Sequence, residues 1–103
     1  VQLRRKTNIS FIGPSDGIYY TPTIDATGYF TVEGTFTATA ARTLTVQTSA
    51  DGLVWTTDRT VSMVANKPSI VRLDLTTKYF TRFYANGVVD AEIYLWELIT
   101  DGL

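Results

Sequence analysis

A chain of 103 residues with nine basic and ten acidic side chains is one domain's worth of sequence, and its net charge of −1 gives no global field to draw in nucleic acid or an anionic membrane. It has no cysteine and no histidine, which excludes disulfide staples, thiolate or imidazole metal sites, and Ser-His-Asp or Cys-His catalysis. With 45% hydrophobic and 18% charged residues it reads as a folded globule, not a charged disordered segment.

The first residue is Val1, which reads as a processed, excised or partly registered chain. No apolar run of about 18 residues and no basic-apolar-small leader pattern appears, so no membrane partner is expected. Arg4-Arg5-Lys6 is the one local basic excess. Leu3 to Ile12 reads as a strand or an arm. Gly13 to Gly17 reads as loop. Ile18 to Ile24 is extended, with Pro22 confining it to an edge or a strand end. Residues 1–17 are thus an arm or first strand plus loop, and 18–103 form the main domain.

Threonine is the surplus residue, 18 of 103, and β-branched and aromatic side chains suit a pleated surface. No stretch keeps capped i, i+3, i+4, i+7 apolar spacing, so no helix is predicted. After the turn Ala26-Thr27-Gly28, Tyr29 to Ala38 alternates over ten residues. Phe30, Val32, Phe36 and Ala38 face a core; Tyr29, Thr31, Glu33, Thr35 and Thr37 face water. Gly34 in mid-strand predicts a bulge or a close neighbouring strand. Thr43 to Thr48 follows, then the turn Ser49-Ala50-Asp51-Gly52. Val54 to Met63 is a strand with a break near Asp58-Arg59. Asn66-Lys67-Pro68 turns into Ile70 to Leu75, and Thr76-Thr77-Lys78 links to Tyr79 to Ala85. Asn86-Gly87 turns, and the last strand covers Glu92 to Thr100. Seven or eight short strands at this spacing define an all-β fold, an antiparallel β-sandwich of jelly-roll type.

Two strands carry large side chains on both faces. Phe80, Arg82 and Tyr84 form the second face of one; Tyr94, Trp96 and Leu98 that of the other. Such a face is covered by a loop, by the N-terminal arm, by another chain or by a ligand. Arg82 between Phe80 and Tyr84 reads either as a cation–π stack or as an interface anchor.

Carboxylate pairs are the remaining catalytic option. Asp51 and Asp58 flank Trp55, and Asp16 and Asp25 lie near Tyr19 and Tyr20, but each acid also has a plain role in a turn or on a wet strand face. Asp16, Asp25, Asp51 and Asp90 show no calcium-loop spacing. Gly13 to Gly17 lacks the end of a phosphate loop. No enzyme activity, cofactor or metal is expected. Trp55 reads as a cap on the end of the core or as a sugar-stacking residue.

The segment Thr43 to Trp55, with Val46, Gln47, Ser49, Asp51, Gly52 and Trp55, resembles the hairpin of discoidin-like (coagulation factor 5/8 C-type) and related galactose-binding-like sandwiches. Lys78 to Phe83 looks like the aromatic-plus-arginine strand that follows there, with the arginine one place late. Thr23 to Tyr29, then Tyr84-Ala85-Asn86-Gly87, then Ala91 to Leu98 resemble a compact version found in tailed-phage and prophage structural proteins. The likeness spans about residues 18 to 99. Its motifs mark turns and core positions, so it implies a fold and carries over no binding residue.

The expected function is a non-enzymatic module of a phage virion, a capsid decoration protein or a head or tail fibre component, that binds other virion proteins and copies of itself. The expected contacts are Phe80, Arg82, Tyr84, Tyr94 and Trp96, with a mobile arm carrying Arg4, Arg5 and Lys6. An interface of ~1,600 Å² suffices for stable docking. The alternative is a carbohydrate-binding module of a cell-surface or tail protein, using Tyr19, Tyr20 and Trp55.

Overall fold

The computed structural model describes residues 2–7, 9–74 and 78–98, and the side chains of residues 2–5, 97 and 98 lie outside that description. The expected strand ends at Leu75 and Thr100 and the Thr76-Thr77 link fall outside it as well. The described residues form ten strands and no helix. They are β1 (Gln2–Thr7), β2 (Ile12–Ser15), β3 (Ile18–Tyr20), β4 (Ile24–Asp25), β5 (Thr31–Thr37), β6 (Arg42–Ser49), β7 (Thr56–Met63), β8 (Ser69–Asp74), β9 (Phe80–Ala85) and β10 (Asp90–Leu98).

Every pairing is antiparallel, and the strands make two sheets. The smaller sheet has the order β1-β10-β5-β8. The larger runs β2-β3-β9-β6-β7, with β4 also on β9. The expected antiparallel sandwich is therefore the observed architecture, with ten strands in place of seven or eight.

The additional strands come from the segment before Tyr29. Gly13 to Gly17, expected as loop, is instead most of a hairpin. Asp16 (φ 50°) and Gly17 (φ 78°) both take the left-handed conformation, so Ser15 pairs with Ile18 across a two-residue turn. Such a turn matches the twist of the strands that it joins. Of the strand and the arm expected for the N-terminal segment, the structure has the strand and not a free arm. Gln2–Thr7 pairs along β10, with Arg4 opposite Trp96 and Arg5 opposite Leu95.

The core lies between the sheets and follows the period-two pattern. Val32, Phe36, Ile93, Val71 and Leu73 come from the smaller sheet; Leu44, Val46, Phe83 and Ala85 come from the larger. Phe36 and Phe83 meet across the interior with ring centroids 4.9 Å apart. Burying each such ring stabilises the fold by roughly 2–3 kcal/mol.

Gly34 sits in regular pairing with Ile93 on one side and Val71 on the other, so it marks no bulge. A Cβ there would come within 2.5 Å of the Phe36 ring, two residues along the same strand. The glycine is a seat for its own strand's aromatic side chain. Thr31, expected to face water, is fully buried and donates its hydroxyl to Asp74 Oδ1 at 3.1 Å. The break expected near Asp58-Arg59 is a bulge: Val46 pairs with Arg59 and Gln47 with Thr57, leaving Asp58 as the extra residue.

Candidate binding groove

Pro22 has no N–H to give to a ladder. Accordingly β3 stops at Tyr20 and β4 starts at Ile24, both lying along the same edge of β9. Thr21 bridges the gap. Its N–H donates to Phe83 O at 3.0 Å, and its hydroxyl accepts the Phe83 N–H at 3.0 Å. The chain thus stays tied to β9 while Pro22 and Thr23 leave the sheet. Beside this break lies an open groove of about 500 Å³. The β2–β3 hairpin forms one wall through Ser15, Asp16 and Ile18. Tyr20, Arg82 and Tyr84 also line it.

Arg82 is held from three directions. Its Nε donates to Gln47 Oε1 at 2.8 Å. Its guanidinium carbon lies 4.0 Å from the centroid of the Trp55 ring and 5.1 Å from that of Tyr84. A guanidinium stacked on rings in this way is attracted by their negative faces. Gln47 is oriented in turn by a 3.4 Å contact from Nε2 to Thr57 Oγ1. The Asp58 bulge lies beside Thr57 in the strand that flanks this pair. Among the described residues Arg82 has no ion pair, and its two terminal nitrogens have no hydrogen-bond partner.

The other expected site residues are distributed widely. Phe80 is half-buried on the Arg82 face, where its ring packs at Gly52; a Cβ on that glycine would touch it at 3.7 Å. Tyr94 and Trp96 belong to β10 of the smaller sheet, whose inward residues are Ile93 and Leu95. They therefore sit on the opposite outer face of the sandwich from Phe80, Arg82 and Tyr84. The five do not form one surface. Lys6 is exposed and pairs with Glu92 at 3.9 Å, and Tyr94 Oη contacts Glu92 Oε2 at 3.4 Å. Arg4 and Arg5 are placed by backbone alone, their side chains lying outside the described part.

Of the aromatic residues in the glycan reading, Tyr20 lines the groove, and Trp55 covers Arg82 without capping the core. Tyr19 pairs with Ala85 and so shares that residue's inward side. The acids are held in local structure. Asp58 bonds Arg59 Nε at 2.6 Å, and Asp25 accepts the Thr27 N–H at 3.0 Å. Asp51 Oδ1 accepts from Leu53 N–H (2.8 Å), Val54 N–H (3.0 Å) and Ser49 Oγ (3.0 Å). The Val54 and Leu53 amides, with the Ser49 hydroxyl, hold the Asp51 carboxyl below its usual 3.8. No group of three or more acids able to hold a metal ion occurs among the described residues.

No protein-family model and no curated protein matches the chain. Among solved structures, the PBSX exported protein XepA is similar in fold, at a TM-score of 0.66 and 19% identity over 98% of this chain. The chain spans 39% of that protein's length. A family 32 carbohydrate-binding module of C. perfringens NanJ, solved with galactose, aligns at a TM-score of 0.41 and 7% identity over 93% of both chains. A CBM4 structure aligns at 0.38 and 15% identity, over 96% of this chain and 92% of that one. The likeness at 0.66 shows a shared β-sandwich fold.

Proposed function

We propose that the chain is a non-enzymatic structural module of a tailed-phage or prophage particle that docks onto other proteins of the particle and copies of itself. The observation that carries this reading is the Ser49–Val54 loop. Leu53 and Val54 are 83% and 71% exposed, yet their backbone is fixed by the Asp51 carboxylate. Tyr79, also exposed, bonds through its N–H to Ser49 O at 3.1 Å, so it belongs to the same end of the sandwich. Apolar side chains carried on a fixed backbone spare a partner the cost of ordering the loop and bury their area when it arrives. Phe80 packs beneath this loop at Gly52 and joins it to the sheet. The docking surface is placed here because the aromatic residues of β9 and β10 face opposite ways.

The fold shared with a phage exported protein supports a particle-associated or extracellular setting. The test is to purify particles from a host carrying the gene and count copies of the chain by quantitative mass spectrometry. We expect a fixed copy number per particle. The folded variant L53D/V54D should be depleted from particles by about tenfold or more, as for the loss of an interface anchor. A wild-type chain absent from particles and remaining monomeric sinks the reading.

A further inference from the structure

We infer that the groove beside Arg82 is a binding site for an acidic saccharide, with the Arg82 terminal nitrogens taking the sugar carboxylate. This goes beyond the docking reading and uses a different surface. The inference rests on how completely the guanidinium is fixed. Gln47 occupies Nε, Trp55 and Tyr84 occupy ring-stacking positions, and only the Nη edge is left for the groove that Arg82 lines. A planar two-donor edge matches a planar carboxylate in a bidentate pair. Because the rings and the amide hold it in place without a ligand, little side-chain freedom remains to be lost on binding.

The rest of the lining selects for a hydroxylated ring. Ser15, Thr23 and the Tyr20 and Tyr84 phenols bring hydroxyl groups, each able to donate and accept, and Asp16, the one acid of the lining, is not ion-paired with Arg82 and offers its carboxylate oxygens to sugar hydroxyls. The two tyrosines also offer flat apolar faces, and aliphatic lining is limited to Ile18 and Pro22. An acidic peptide could use the Arg82 edge equally, but it brings fewer partners for the Ser15, Thr23, Tyr20 and Tyr84 hydroxyls than the several hydroxyls of a sugar ring. At about 500 Å³ the groove is within the range of small-ligand sites, ~300–1,000 Å³.

The test uses the full chain with three probes in isothermal titration calorimetry: trigalacturonate, its neutral counterpart galactotriose, and acetate. A fourth arm is a glutamate-rich peptide. We expect saturable binding of trigalacturonate, at least about tenfold tighter than galactotriose, the fold-change that loss of a charge-assisted bond brings. In NMR spectra the Arg82 Nε–H resonance should move with saturation. Arg82→Gln should abolish the preference for the acid. Thr23→Val, which leaves Arg82 and its supports alone, should weaken trigalacturonate without changing the melting temperature. R72M on the other sheet should bind like the wild type. Equal affinity for trigalacturonate and galactotriose overturns the role of Arg82. Acetate matching trigalacturonate shows a bare anion site and overturns the sugar. Tighter binding of the peptide replaces the saccharide with a protein ligand. No binding of any probe by the folded wild type overturns the site.

Discussion

The two outer faces of the sandwich treat their arginines in opposite ways. On the smaller sheet Arg72 lies 3.4 Å from the half-buried Glu33 and 3.8 Å from the exposed Asp74, and Lys6 reaches Glu92 nearby. On the larger sheet Arg82 has no acid within ion-pair distance among the described residues and instead two rings and an amide. Exposed ion pairs contribute about 0–1 kcal/mol and are screened by salt, because each long side chain must be ordered to make them. Arg82 is ordered by packing, so its free donors stay available and aimed. One face pairs its arginine with carboxylates; the other has the makings of a site. The same residue type is solubilising in one place and poised in the other, and what differs is whether its counter-charge is built in.

The largest effect we expect lies where the larger sheet is broken to make the groove. Thr21→Val keeps the shape but removes the acceptor of the Phe83 N–H, a buried donor in the strand that crosses the core. Leaving such a donor unpaired costs about 1–3 kcal/mol. Thr21→Ser should be close to neutral by comparison. Urea unfolding of the two variants checks this, and equal stability would show that water replaces the hydroxyl.

Trp55→Ala comes next. It removes one of the rings over Arg82 and should cost about 1–2 kcal/mol, combining lost aromatic burial with a lost cation–π contact. In a domain of this size that lowers the melting temperature by roughly 4–8 °C per kcal/mol. It should also release Arg82, seen as added motion at its Nε–H in NMR relaxation. A variant as stable as the wild type with a rigid Arg82 breaks the contrast between the faces. Arg72→Met on the other sheet is the counterpart. Its effect should stay within about 0.5 kcal/mol and shrink further in high salt. A larger loss would mean that the ion pairs of that face act as a fixed network.

The parts of the fold set by local chemistry were legible in the residues. Alternation from Val32 to Ala38 gives β5 and its buried face, although Tyr29 and Thr31, expected to face water, are respectively packed on the core and buried, and the Asp51-Gly52 turn sits where its residue types demand. The hairpin at Asp16-Gly17 carries the same kind of signal but was masked by Gly13 and Pro14, which read as loop on composition. The division of the aromatic side chains was not legible. Period two says whether a residue points in or out; it does not say which sheet its strand joins. Phe80-Arg82-Tyr84 and Tyr94-Trp96 look alike in sequence and part company because β9 pairs with β6 while β10 pairs with β5. The stack on Arg82 was half legible. Its arginine and Tyr84 share a strand face, but Trp55 arrives from a loop and Gln47 from the neighbouring strand. Gly34 misled because the contact it permits is to its own strand.

The smallest effect concerns the loop beside these faces, and it sharpens what rigidity means here. The Asp51 carboxyl is held below its usual 3.8 by bonds that only the ionised form accepts well. A group whose folded value is depressed adds order that is complete above its unfolded value and is lost as pH falls through the folded one. The Leu53 and Val54 amides should therefore be protected from hydrogen exchange at pH 5 to 7, with protection fading below about pH 4. The Thr27 amide should follow, because the Thr27 hydroxyl and then its amide hold the Asp25 carboxyl below its usual value. Asp51→Asn should lower protection of Leu53 and Val54 at neutral pH and remove most of its acid dependence, leaving Thr27 unchanged. Protection that persists in that variant would place the order of the loop in its packing at Phe80 instead. The docking end would then be fixed from beneath, by the sheet, and acid would leave it intact.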